Sequence, residues 1–400
     1  MALLLSDAGL HAQLLPLTFT RPIGAMRPGV LTLADAWWRM TELPVGFRTQ
    51  EYLQERYPVV AGAEMVREVR GSLLPLPDLV SAVLDLAPGQ VLVKDGVVLA
   101  FCHTSGSVPT ELDWVTPPAF LDRITYGGDL VRYERPWDLF RHCGEAVIND
   151  MALLTEGRRS APLSALNTVI GDPALIFLEE GAKVEAAVLN TTKGPIHVGR
   201  DAEIMEGCLV RGPFALGADA QLKMGARIYG PTAIGPGSRI GGEVNNSVVF
   251  GHSNKAHDGF LGNSVLGEWC NLGADTNNSN LKNTYGEVKL WSYAERQSIG
   301  TGLQFCGLIM GDHSKTGINT MFNTGTVVGV CTNVFGAGFP SKHLPSFVWG
   351  GSEGLAEHEL DKALAVAERV MARRHVELDP VQRAILTHVR DMSAVDRVAT

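Results

Sequence analysis

Aliphatic side chains recur at every sixth position from Val198 through Ile204, Val210, Leu216, Leu222, Ile228 and Ile234 to Ile240. Small residues stand two positions ahead of most of them, at Ala202, Cys208, Ala220, Ala226, Thr232 and Ser238. Glycine often follows directly, as at Gly199, Gly217, Gly235 and Gly241. A period of six fits neither the 3.6 residues of a helical turn nor the alternation of a strand. It is the period of hexapeptide repeats stacked as a parallel β-helix, in which each rung turns one aliphatic side chain inward. A single rung cannot bury that side chain, but a stack buries the whole row. The pattern predicts a solenoid from about residue 175 to 340.

Two stretches break the period. The first runs from Ile240 to Leu266 and the second from Thr276 to Gln304, after which the pattern resumes through Met310, Thr316, Phe322, Val328 and Val334. An insertion in a rigid solenoid displays side chains from one face, so chemistry is expected there. Residues 1–150 lack the six-residue period. Leu3 to Leu5 reads as a buried strand, Val30 to Met40 and Pro77 to Leu86 as helices, and Val91 to Leu99 as a hairpin turning at Asp95-Gly96. Strands alternating with helices predict an α/β domain. After Gly350 the spacing of Leu360, Leu364, Ala367 and Met371 is helical, and Asp379-Pro380 caps a second helix carrying Ile385, Val389 and Met392. These helices are expected to close the solenoid end or pack on a neighbouring subunit. The domains are therefore read as 1–170, 171–350 and 351–400.

Forty-four glycines in 400 residues suit a turn-rich solenoid. A net charge of −9 argues against nucleic acid as the main partner, since that needs a basic surface. None of the six cysteines forms a C-x-x-C pair, no apolar run reaches the length of a membrane span, and the opening residues lack the features of a signal peptide. A reducing cytoplasm is the expected location.

Candidate chemistry gathers at the breaks. The first carries His252, Lys255 and His257, where histidine can take a proton near neutral pH and lysine can hold a phosphate. Ordinary loop histidines bonded to backbone carbonyls are about equally expected there. The second carries five asparagines between Asn271 and Asn283, side chains that offer donor and acceptor together and suit sugar hydroxyls. A ladder closing β-helix turns is the expected role of most of them. Gly311 to Gly317, with Asp312, His313 and Lys315, adds polar groups. Near the start, Ser6 to Leu10 follows a strand and contains one glycine, a weak version of a phosphate-cradling loop.

These residues resemble the bacterial bifunctional N-acetylglucosamine-1-phosphate uridyltransferase / glucosamine-1-phosphate acetyltransferase family, and more closely a divergent branch of sugar nucleotidyltransferases. The segments PLTFTRP, LVKDGV, TGLQFCGLIMGDHSKTGINTMFNTGTVVGV and FGAGFPSKHLPSFVWGG carry the closer match. The resemblance implies a Rossmann-like α/β nucleotidyltransferase domain using Mg²⁺. It implies also a left-handed β-helix that trimerises and transfers acetyl from acetyl-CoA to an amino sugar. By position it implies His257 as the base, Lys255 near the sugar phosphate and Asn280 on the sugar. Phe260 and Leu281 stand where the family has tyrosines, and Asn245 and Asn246 where it has phosphate-binding lysines. Ala274 is the expected oxyanion rung, and Gly311, Gly317 and Gly329 the expected path of the CoA arm. In the N-terminal domain the family's G-x-G-T-R-M loop is reduced to Asp7 to Leu10, leaving Asp7, Gly9 and Arg21 as nucleotide-binding candidates. Asp150, after Asn149, is the candidate late ligand of Mg²⁺.

Two other readings stand beside this one. His252 and His257 have the H-x-x-x-x-H spacing of a γ-type carbonic anhydrase, which with His197 or His313 would hold a zinc ion. A sugar- or nucleotide-sensing protein without catalysis is the other.

Overall fold

The computed structural model describes residues 1–104, 114–115 and 121–397. The chain forms two compact units, one of Met1–Leu14, Arg21–Met26 and Leu31–Glu134, the other of Leu15–Thr20, Arg27–Val30 and Arg135–Thr400.

The first unit is built on a six-stranded sheet of β1 (Ala2–Ser6), β2 (Val45–Arg48), β3 (Met65–Arg70), β4 (Gln90–Lys94), β5 (Val97–Thr104) and β6 (Asp122–Thr125), in the order β2-β1-β3-β5-β4-β6. The α/β expectation holds, but the sheet is mixed. β1 runs parallel to β2 and β3, whereas β5 is antiparallel to both its neighbours. The expected hairpin turns at Asp95 (φ 51°) and Gly96 (φ 78°), both positive as a two-residue I′ turn requires. Helix α1 (Leu33–Thr41) starts later than the apolar pattern alone gives. A capping box sets the boundary: Thr32 Oγ1 accepts from Asp35 N at 3.0 Å, and Thr32 N donates to Asp35 Oδ2 at 3.1 Å. Helix α2 spans Pro77–Leu84, with proline in its first turn.

The second unit is a parallel β-solenoid with three faces. Face I stacks short strands from Thr168–Ile170 to Phe260–Gly262, face II from Ile176–Leu178 to His343–Leu344, and face III from Lys183–Val184 to Val348–Gly351. All eight aliphatics of the six-residue period point into the core and are at most 2% exposed. Coils of eighteen residues pair Glu203 with Gln221 and Gln221 with Arg239. The next coil is shorter, pairing Arg239 with Asn254 and Ile240 with Lys255. The first break is therefore not a projecting insertion. Its residues stay in the ladder, and Lys255 takes an inward position. The second break is a true excursion: after Asn278 the chain leaves the coil, forms the antiparallel hairpin Lys289–Ser292 / Gln297–Gly300, and returns at Leu308–Met310.

Two faces are roofed by the unit's own elements. The outward column of face II is largely apolar and buried, with Phe177, Ala215, Ala233, Val248, Ile309 and Val327, and it also holds His197 between Phe177 and Ala215. Following the short α3 (Asp138–Arg141), helix α4 (Cys143–Thr155) packs on its strands at Phe214–Leu216 and Thr232–Ile234, and the hairpin packs near Thr326–Val328. The segment Leu15–Thr20 lies there too, with Thr20 Oγ1 donating to Asp312 Oδ2 at 2.7 Å and Phe19 meeting Tyr293 edge-to-face at 5.3 Å. Most of the PLTFTRP segment thus belongs to the solenoid. Helices α5 (Leu360–Ala372) and α6 (Pro380–Met392) form as the spacing indicates, with Asp379 accepting from Gln382 N at 2.8 Å. They do not cap the solenoid end: α5 lies along face III from Trp349 to Asn254. Face I is open, its outward Ile170, Leu209, Arg211, Arg227 and Tyr229 exposed.

At the corner between faces II and III the chain turns through a left-handed residue in coil after coil. These are Asp201, Asp219, Gly237, His252, Trp269, His313 and Cys331. Each donates its N–H to the coil below, as His252 does to Pro236 O at 2.7 Å. A non-glycine residue there costs ~1–2 kcal/mol, and at His252, Trp269 and His313 ring stacking acts against that cost. His252 lies 4.2 Å from Trp269 at 7°, and Trp269 6.3 Å from His313 at 11°. All six cysteines are free and buried. No helix among the described residues is long and apolar enough to cross a membrane.

Candidate functional site

The two histidines of the first break sit on different corners of the coil. His252 turns the chain between faces II and III, and His257 between faces III and I, with Asn254–Lys255 on face III between them. Their five-residue separation spans one whole face, so it does not join them as ligands of one ion. Among the described residues no group of three His, Cys, Asp or Glu side chains is arranged to hold a metal. His197 is occupied elsewhere, stacked on Phe177 and 3.4 Å from Glu179.

His257 is exposed, and its imidazole has no hydrogen-bond partner among the described residues. Its backbone is held from inside. Lys255, 2% exposed, donates its Nζ to His257 O at 2.6 Å and to Gly241 O at 3.0 Å. Burial pushes this ammonium down to about 8, against the nearby charges of Asp258 and Asp275. Lys255 was expected beside a sugar phosphate, but it points into the core because the shortened coil puts it in register with Ile240.

Phe260 reaches across face I from this corner. A Cβ added to Gly262 would stand 2.4 Å from Phe260 Cζ and 2.7 Å from Asn280 Nδ2, so ring and amide converge over that glycine. Asn280 Nδ2 donates to Asn263 Oδ1 at 2.8 Å. Most of the other asparagines form the ladder that their composition suggests: Asn277 Oδ1 accepts from Phe260 N, Asn278 Oδ1 from Gly262 N, and Asn254 Nδ2 donates to Asn271 Oδ1. Asn246 is different, because its Oδ1 is buried without a partner. A buried unmet acceptor calls for a donor. Sequence reasoning missed Asn246 as an acceptor and overlooked Asn263. The available signal was the Asn-Ser doublet at both 246–247 and 263–264, where each asparagine turns left-handed at the corner between faces I and II.

Of the expected oxyanion rung and the three positions expected to carry the CoA arm, Ala274 and Gly317 share the His257 corner. Gly311 and Gly329 follow strands of face II, are buried, and donate their N–H groups to Val328 O and Leu344 O. Close coil stacking requires them: a Cβ on Gly329 would meet Ser346 N at 2.3 Å. Gly317 likewise spends its N–H on Val334 O. These glycines serve packing and offer no free donor.

In the first unit Asp7 follows β1, the strand flanked in parallel by β2 and β3. Strand order reverses there, and ligands of such sheets lie beyond the carboxyl ends of the strands. Asp7 is buried, with Oδ1 accepting from Ile23 N at 2.8 Å and Oδ2 from Thr49 Oγ1 at 2.6 Å. Burial raises its carboxyl to about 6, although both hydrogen bonds pull it down. Tyr52 is pushed up by burial and then by the Asp7 charge, and its ring meets His11 edge-on. Gly9 (φ 75°) has open space around it, so the turn can admit a ligand. Arg21 is buried in the same unit. Asp150 belongs to the other unit and is only 1% exposed, its carboxylate closed in by Gly29. Asp7 offers a single carboxylate, enough for a Mg²⁺ ion that arrives with a triphosphate but not for a protein-held one.

Residues 2–159 match the family model described as sugar nucleotidyl transferase. The chain is 34% identical over 163 residues to a bifunctional sugar-1-phosphate nucleotidylyltransferase/acetyltransferase of Sulfurisphaera tokodaii, 40% of this chain and 40% of that protein. It is 34% identical over 87 residues to the bifunctional protein GlmU of Methanocaldococcus jannaschii, covering 22% of this chain and 21% of that protein. The chain thus spans well under half the length of the curated relatives it matches. Among solved structures, the UDP-N-acetylglucosamine acyltransferase of Arabidopsis aligns at 14% identity and a TM-score of 0.27, over 54% of this chain and 78% of that one. That of Campylobacter jejuni aligns at 15% and 0.27, over 59% and 83%. Scores this low carry no argument, and the solenoid stands on its own strand pairing.

Proposed function

We propose that the chain is a transferase acting on sugar phosphates, with acyl transfer at the His257 corner of the solenoid and nucleotidyl transfer beyond β1 of the first unit. The observation that carries the first is an exposed, unbonded imidazole on a corner fixed from within by Lys255. Across face I, Asn280 and the unmet Asn246 acceptor offer groups for sugar hydroxyls. Acetyl transfer from a thioester to an amine forms a C–N bond and breaks a C–S bond. His257 takes the proton of the attacking amine and returns it to the departing thiolate. Lys255 positions that base rather than binding phosphate. Acetyl-CoA is the proposed acyl donor, lying along the corner that Ala274 and Gly317 share with His257. Phe260 and Leu281, where related sites carry tyrosine, favour an amino sugar other than glucosamine 1-phosphate.

Open face I, with Leu209 and Tyr229 outward, is where copies of the chain pack as a trimer, and a second copy there would complete the groove beside His257. Six buried free thiols suit a reducing cytoplasm. For nucleotidyl transfer, Asp7 would hold one site on a Mg²⁺ ion carried in by the nucleoside triphosphate, while Gly9 leaves room for the phosphates. The metal would neutralise charge on the triphosphate; Asp7 orients it. Incubating the chain with acetyl-CoA and a panel of amino-sugar 1-phosphates, with free thiol as readout, tests the first activity. Release of pyrophosphate from UTP or dTTP with sugar 1-phosphates tests the second. Thiol release with at least one sugar is expected; none with any would overturn the acyl-transfer reading.

A further inference from the structure

A cleft of about 310 Å³ lies between face III and the last turn of α5, lined by His252, Asn254, Asn271, Lys315, Arg373 and Arg374 among others. It is on the opposite edge of face III from His257, away from face I and from Asn245 and Asn246. Its lining is cationic in a chain of net charge −9. Arg239, next below Asn254 in the ladder, adds a further positive charge.

Basic residues in the last turn of a helix commonly hydrogen-bond its final carbonyls. Here neither the Arg373 nor the Arg374 guanidinium has a hydrogen bond or ion pair among the described residues. Arg374 is pulled down by burial and then by the charges of Arg239 and Arg373. His252 is lowered by burial and by Arg374 and Arg27, with Glu268 and Asp219 acting the other way. Lys315 Nζ spends one hydrogen on His313 O at 2.8 Å, leaving two. Asn271 uses its Oδ1 on Asn254 at 2.9 Å, and its amide hydrogens are uncommitted. Like charges gathered in a partly buried cleft repel one another, and an anion relieves that repulsion. Guanidinium forks match the oxygens of a phosphoryl group in both geometry and charge.

We propose that this cleft binds the phosphoryl group of a small phosphorylated molecule, with Arg373, Arg374, Lys315 and the Asn271 amide as donors. The cleft is larger than a bare phosphate ion, so there is room for the molecule that carries it. The site is independent of the acyl-transfer reading, and either can fail alone.

Calorimetric titration of the full chain with inorganic phosphate and with glucose 1-phosphate, at matched ionic strength, tests it. Saturable binding of at least one is expected, weakened tenfold or more in Arg373→Gln/Arg374→Gln, because charge-assisted hydrogen bonds are lost. Tighter binding of the sugar phosphate would identify an organic phosphate; equal binding would identify the free ion. Without ligand the double variant should melt at the same temperature or higher, since repulsion is removed. His257→Ala should bind as the parent chain does. Absence of saturable binding by both probes, or equal affinity in the double variant, overturns the proposal.

Discussion

Replacing Lys255 by methionine tests the inward lysine through the pH dependence of stability. The ammonium is buried and lowered from 10.5 to about 8. Between those values the unfolded chain binds the extra proton and the folded chain does not, so stability rises with pH. The contribution is fully present above 10.5 and is lost as pH falls through about 8. A shift of this size corresponds to about 3 kcal/mol. The neutral amine still has hydrogens for Gly241 O and His257 O, so deprotonation removes charge and leaves both bonds. Methionine has a similar shape, no charge and neither bond, which costs it roughly 1 kcal/mol per bond at every pH. Urea unfolding of both proteins at pH 7, 8, 9 and 10.5 reads the difference. Relative to Lys255→Met, the parent chain should gain about 3 kcal/mol between pH 7 and 10.5. Parallel stabilities across that range would refute the reasoning and return Lys255 to solvent.

Asp7→Asn should fold, because an amide can accept from Ile23 N and reach Thr49. With its carboxyl raised from 3.8 to about 6, Asp7 contributes stability that is fully present below pH 3.8 and lost as pH rises through about 6. The variant should therefore unfold at the same or a higher temperature than the parent at pH 7, yet release pyrophosphate at least ~10²-fold more slowly if Asp7 orients the metal-bound triphosphate; a parent-like rate would remove Asp7 from the site. Leu209→Arg places a charge on open face I, where Leu209 is 49% exposed. It should convert a trimer into 43.0 kDa chains in light scattering without altering the circular dichroism, and an unchanged trimer would move the interface elsewhere.

The solenoid was legible because its repeat is local: one inward aliphatic every six residues is visible from Val198 to Ile240 without knowing what stacks on what. The candidate site was less legible, because it depends on coil length. A coil three residues short put Lys255 in the core and kept His252 and His257 in the ladder, where the broken period suggested a loop. That two histidines five apart occupy different corners follows only from the triangular path of the chain. Gly311 and Gly329 invited a cofactor, but their lack of a Cβ serves the coil stacked against them. PLTFTRP carried the resemblance to a sugar nucleotidyltransferase, whereas its Thr20 and Phe19 meet Asp312 and Tyr293, partners nearly three hundred residues away that no local pattern could supply. The basic cleft was hidden for the same reason, since Arg373 and Arg374 meet Asn271 and Lys315 only when α5 lies along face III.

The most direct test of the account is steady-state acetyl transfer by His257→Ala, compared with the parent on whichever amino-sugar phosphate it accepts, with acetyl-CoA binding measured alongside. Loss of a general base lowers turnover by ~10²–10⁴-fold and leaves binding in place. A drop of that size in kcat with unchanged acetyl-CoA affinity is the expected result. Turnover equal to that of the parent would contradict it, because the exposed imidazole on the corner braced by Lys255 would then have no part in the reaction.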